Sequence, residues 1–178
     1  MLIKQDDPAL LGGKMNVIDN GDQTMKKNRH RKLGIVCFVL YLVLLTYFLF
    51  FAEEMGRSPG NRQGYTYNLV LFKEIKRFWM YRRTLGFRAV FLNLVGNMLA
   101  FMPFGFCIPE IWDEVNQWYT VTFLGFIFSL CIETTQLVCR VGSFDVDDLL
   151  LNTIGALAGF VAFTLAKGVW NKYRGTDR

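Results

Sequence analysis

Histidine and regularly spaced cysteines are what this chain has least of. His30 is the only histidine, and it lies in a basic stretch ahead of an apolar run, so histidine-dependent acid–base or zinc chemistry has no residues to use. Cys37, Cys107, Cys131 and Cys139 fall within or at the edges of apolar runs. Their spacings suit neither a metal site nor a disulfide framework, and they read as small apolar side chains. No serine or cysteine has a histidine or an evident lysine base, which removes the usual arrangements for nucleophilic catalysis. Long polar stretches are scarce too: 52% of the 178 residues are hydrophobic and the mean hydropathy is +0.24, a composition that points to a small integral membrane protein.

The formal net charge is +5. The cations cluster before the first apolar run, between the first two runs and at the C-terminus, a distribution that suits a membrane surface and not a nucleic acid. Residues 1–25 are polar and without periodicity, as expected for a mobile cytoplasmic tail, and residues 26–174 read as one membrane domain. Lys26, Lys27, Arg29, Arg31 and Lys32 precede a first apolar run at about 33–51. Glu53 and Glu54, and not a small-residue cleavage site, follow this run, so it reads as a signal anchor with a cytoplasmic N-terminus.

Three further spans are expected at about 89–108, 118–138 and 149–170, each of a length suited to a hydrocarbon core of about 30 Å. The expected fold class is therefore all-α, an integral-membrane four-helix bundle with both termini cytoplasmic, where Lys167, Lys172, Arg174 and Arg178 obey the positive-inside rule. One segment conflicts with that rule: residues 57–88 carry eight cations yet fall outside. Within it Leu71, Phe72, Ile75, Phe78 and Trp79 follow helical spacing, and Lys73, Lys76, Arg77 and Arg83 lie largely opposite. The pattern predicts an interfacial helix at about 68–83 lying on anionic headgroups, with a solvated basic loop as the alternative.

The run from Arg140 to Asp148 is the densest charge between apolar segments. Acids at a membrane-helix centre cost roughly 2.5–3.5 kcal/mol each on insertion scales, so they tend to mark function. Gly125, Ser129, Glu133, Gln136 and Arg140 form one stripe at helical spacing on the third span. Asp145, Asp148, Asn152, Gly155 and Gly159 form another on the fourth. A short connection makes these helices antiparallel, and the second span brings Asn93, Gly96 and Asn97 to the same end. A polar pocket of Asn93, Asn97, Glu133, Gln136, Arg140, Asp145, Asp148 and Asn152 is expected there, opening to the outer face. Asp145 and Asp148 could equally cap the fourth helix, but Glu133, deeper in an apolar run, needs a partner such as Arg140 or the amides. Gly155 and Gly159 read as a small-x-x-x-small packing pair, and Asn93 and Asn97 could be interhelical hydrogen-bond partners with no wider role. Crowded carboxylates could donate a proton, or Glu133, Asp145 and Asp148 could share Mg²⁺ or Ca²⁺.

These residues resemble the VanZ-like family of small multi-span bacterial membrane proteins, named for a teicoplanin-resistance factor. The stretch Asn68, Leu69, Val70, Leu71, Phe72 looks like the family's Asn-Leu-x-Pro-Phe element, with Leu71 in place of the usual proline. Asn93, Gly96, Asn97, Phe101, Pro103 and Gly105 match its second-span block, and Glu133 with Gln136 its Glu-x-x-Gln pair. Arg140, Ser143, Asp145, Asp148, Asn152 and Gly155 stand at the family's spacing.

The resemblance implies a location in the bacterial cell membrane and a link to resistance against lipid-anchored glycopeptides, and it implies little chemistry. Three readings follow. One is a resistance protein whose pocket engages a lipid headgroup, cell-wall precursor or lipoglycopeptide; another is an enzyme acting on an envelope lipid through carboxylate or divalent-cation chemistry. The third is a purely structural bundle. Expected partners are membrane lipids, anionic lipid among them, and oligomerisation remains open.

Overall fold

Long apolar runs with few internal charges leave the backbone no partner but itself in a lipid environment, which dictates helices. The computed structural model describes residues 29, 31–48, 65, 67–81 and 87–176, with side chains at all of these except 78, 87–93 and 174–176. The expected tail over 1–25, the end of the first apolar run at 49–51 and Arg83 lie outside the described residues.

The chain is mostly helical. Residues 31–47 form helix α1; strand β1 (Tyr67–Asn68) and helix α2 (Lys73–Met80) follow. Helices α3 (Phe87–Ile111) and α4 (Trp118–Cys139) come next, then strand β2 (Phe144–Asp145) and helix α5 (Val146–Thr176). Three helices are long and apolar enough to cross a membrane, over Leu94–Ile111, Trp118–Cys139 and Val146–Tyr173. They cover the second, third and fourth expected spans. Helix α5 begins three residues before the expected 149, so Asp147 and Asp148 lie in its first turn. Helix α3 continues through both Pro103 and Pro109.

The short connections force α3 and α4 antiparallel and α4 and α5 antiparallel, so α3 and α5 run parallel. Their contact is backbone on backbone: a Cβ at Gly155 would collide with the Met98 carbonyl, one at Gly159 with the Met102 carbonyl, and one at Gly105 with the Ala156 carbonyl. Small residues permit this approach, and van der Waals packing is what drives helix association when lipid tails are as apolar as side chains. Helix α1 lies antiparallel to α3. Tyr41 donates its hydroxyl hydrogen to the Ala100 carbonyl at 2.8 Å, while a Cβ on Gly34 would sit in ordinary contact with Ile111. The core gathers Phe104, Ile108, Val121 and Ala156, with Phe104 stacked on Phe128 at a centroid separation of 4.9 Å.

Two expectations are corrected. A two-stranded parallel bridge joins β1 to β2, Tyr67 opposite Phe144 and Asn68 opposite Asp145, so the fold is not purely helical. The interfacial helix expected at 68–83 is shorter, Lys73–Met80 among the described residues. Asn68 belongs to the bridge, and Phe72 is left-handed at φ 63°, ψ 12°. With Lys73 N–H on the Val70 carbonyl at 3.3 Å, residues 70–73 make a type II-like turn that halts any helix running back toward Asn68. Leu71 occupies the second position of that turn, where proline is favoured, so a family proline at this site would suit the backbone.

Candidate functional site

The polar end of the bundle is built where α4 turns into α5. Helix α4 ends on Arg140, left-handed at φ 57°, with the N–H groups of Val141 and Gly142 on the Gln136 carbonyl, a closure that satisfies the last free carbonyls. Gly142 then passes so close to the Gln136 side chain that an added Cβ would lie 3.0 Å from it. This tight return brings β2 back under Glu133.

Glu133 accepts the Asp145 N–H at 3.0 Å. Asp145 in turn is the residue before α5, and its Oδ1 accepts the Asp147 N–H at 2.8 Å and the Asn68 amide at 3.2 Å. The first of these is an N-cap bond, the bland reading of an acid at this position; the second ties α5 to β1. Burial pushes the Asp145 carboxyl above the usual carboxylate range, and the neighbouring Asp147 charge pushes the same way. The Asp147 N–H, the Asn68 amide and nearby Arg77 oppose this.

Asp147 does the most unexpected work. It is fully buried, and its carboxylate accepts N–H groups from Phe72, from Glu74 at 2.8 Å and from Ile75 at 3.3 Å. Helix α2 has no side-chain cap of its own, because Phe72 stands at the N-cap position. Asp147 supplies that cap from 75 residues away in the chain, satisfying donors that a helix start leaves open and opposing the helix dipole. The sequence stripes missed it, because Asp147 falls off the face carrying Asp145, Asp148 and Asn152. An acid flanked by two others just before an apolar run was the available signal.

Of the remaining expected residues, Asp148 accepts the Asn97 amide, and both are half-buried. Asn152 donates to the Ser129 hydroxyl at 2.9 Å, linking α5 to α4 in the interior, and its Oδ1 is buried without a partner among the described residues. Gln136 is buried against Gly142. Arg140 is exposed, its guanidinium 4.9 Å from the Tyr65 ring centroid, a cation–π placement. The Asn93 side chain lies outside the described residues. Among the described residues no group of three or more His, Cys, Asp or Glu side chains is placed to hold a metal ion; Glu133, Asp145 and Asp147 point oxygens at N–H donors.

The carboxylates therefore divide by access. Glu133, Asp145 and Asp147 are buried and engaged within the fold, Glu133 and Asp147 by backbone N–H groups of other segments and Asp145 by the Asn68 amide and its own N-cap bond, while Asp148 with Asn97 sits at the margin. A polar ligand arriving at this end would meet an acceptor carboxylate beside an amide, a pair able to bind hydroxyl, amide or ammonium groups.

A family model described as VanZ/LLP1 matches residues 38–167. Among curated proteins, the chain is similar to Protein VanZ of Enterococcus faecium, 26% identical over 82 residues, which cover 46% of this chain and 50% of that protein. The chain thus spans about half the length of this curated relative. No solved structure matches.

Proposed function

The chain belongs to the VanZ/LLP1 family, and on that premise we propose that it engages a polar group at the Asn97–Asp148 end of its helix bundle. The group would be a lipid headgroup, a cell-wall precursor or a lipoglycopeptide, with resistance to teicoplanin-type glycopeptides as the consequence. In this reading α1 is a fourth span, both termini are cytoplasmic and the polar end opens outward. The antiparallel seat of α1 beside α3 supports the fourth span. The single observation that carries the binding site is the difference in access among the acids: Asp148 and Asn97 are half-buried while their neighbours are enclosed. A ligand arriving at this end can reach this acid and this amide and not the enclosed carboxylates.

Teicoplanin susceptibility of cells expressing Asp148→Asn and Asn97→Ala variants tests this, with membrane-inserted protein measured in parallel. The expected outcome is a severalfold loss of resistance at unchanged protein level. Full resistance in both normally inserted variants would remove this end of the bundle from the mechanism.

A further inference from the structure

Between the bridge strand β1 and helix α3 the chain exposes an unusual surface. Leu69, Val70, Leu71 and Phe72 are 65%, 62%, 48% and 45% exposed, and Trp79 is 65% exposed. Four successive exposed apolar residues beside an exposed tryptophan form a contiguous apolar patch of the kind that marks an interaction surface. Their position is fixed: Asp147 grips the Phe72, Glu74 and Ile75 N–H groups, and Asn68 is held by Asp145. The turn and α2 are therefore pinned to the end of the bundle where α5 enters its apolar stretch.

Charge says which partner covers this surface. On α2, Glu74 and Ile75 are turned inward, while Lys73, Lys76 and Arg77 are exposed, and Arg77 forms an i,i+3 ion pair with Glu74. At 100° per residue the cations occupy one side, with Trp79 and Ile75 on the other. An apolar turn flanked by exposed lysines at the end of membrane-spanning helices matches a lipid surface, apolar groups among acyl chains and ammonium groups at the phosphates. A soluble protein partner would have to reach into the headgroup layer to meet the same residues.

We infer that residues 69–81 dock into a leaflet of anionic phospholipid, the 69–72 turn and Trp79 below the headgroups and Lys73 and Lys76 at phosphate depth. The Asp147 clasp sets the height of the polar end relative to that layer. The docking does not require that the polar end bind any further ligand.

The full chain in nanodiscs of phosphatidylglycerol or of phosphatidylcholine, carrying 6,7-dibromo acyl chains, provides the test. The fluorescence of Trp79 is read as the difference between the wild-type chain and Trp79→Phe. In phosphatidylglycerol the Trp79 signal is expected to be quenched by the brominated chains and shielded from aqueous iodide. In mixed discs the Lys73→Gln/Lys76→Gln variant, checked for an unchanged melting temperature, is expected to lose phosphatidylglycerol preference by about fivefold per cation removed. Iodide quenching without bromolipid quenching would overturn the inference, as would equal behaviour in the two lipids. Protection from both quenchers, with cross-linking between copies, would assign the surface to a second copy instead.

Discussion

Asp147 illustrates how a buried acid in a membrane protein can be held by main-chain donors. Its charge is met by three backbone N–H groups of a distant segment, and hydrogen bonds to a charged acceptor contribute about 1.5–3 kcal/mol each where a neutral pair gives about 1. Asp147→Asn keeps the shape but turns an NH₂ toward at least one N–H donor. The variant is expected to lose on the order of 2–4 kcal/mol, read as a lower melting temperature in detergent together with faster proteolysis between Tyr65 and Tyr81. An unchanged melting temperature would show that α2 does not depend on this cap. Asp145 makes a prediction of a different kind. With its folded pKa raised, the folded chain holds a proton at pH values where the unfolded chain, near pKa 3.9, has already released it. The associated stability is full below the unfolded value and is lost as pH rises through the folded one. Asp145→Asn retains an oxygen to accept the Asn68 and Asp147 donors, so the difference in melting temperature between variant and wild type is expected to grow in the variant's favour from pH 4 to pH 7. A difference that stays flat with pH would contradict the raised pKa. Asp145 was legible in the sequence as a cap beside an apolar run. Asp147 was not, because its partners are main-chain groups about 75 positions away and leave no side-chain signature.

Among the elements, α3 and α5 meet backbone on backbone, at the pair of glycines whose spacing suggested close packing without naming the partner helix. Gly155 and Gly159 stand four apart on one face, and the Met98 and Met102 carbonyls occupy the space their side chains would need. Gly155→Ala therefore has to push backbone from backbone, and overpacking of this kind costs typically 1–3 kcal/mol. Nothing lies within 4 Å of a Cβ at Gly168, and the same substitution there is expected to stabilise by up to about 1 kcal/mol through helix propensity. Thermal unfolding of the two single variants in one detergent checks both signs; equal effects would mean that the α3–α5 contact is not as close as described. The short helix α2 was legible only in part. Apolar spacing from Leu71 to Trp79 identified its two faces, but Phe72 shares that spacing while adopting a left-handed conformation, and hydrophobic periodicity carries no information about φ. The β1–β2 bridge was illegible for a similar reason, since two residues in each strand are too few to show an alternation.

At the scale of the whole molecule, short connections did most to make the polar end readable. Six residues between Ile111 and Trp118 and the tight return at Arg140 leave adjacent helices no choice but to run antiparallel, and that alone gathers Asn97, Glu133, Asp145 and Asp148 at one end. The sign of that end relative to the membrane is a separate matter, carried by charge. Helix α1 starts beside Ile111, so Arg31 and Lys32 share an end with Lys167 and Lys172, and the proposed cytoplasmic placement of this end rests on the positive-inside rule. The cations of α2 lie at the opposite end and pull the other way. The two can coexist if α2 is held at the surface by Asp147 after insertion and has no part in setting the orientation of the spans. In a chain freed of its four cysteines, Arg140→Cys is then expected to react with a membrane-impermeant maleimide in intact cells, and Glu114→Cys, in the exposed connection after α3, only after permeabilisation. The reverse labelling pattern would mean that the α2 cations fix the topology, and it would place the Asn97–Asp148 pair on the cytoplasmic side, out of reach of any ligand confined to the cell surface.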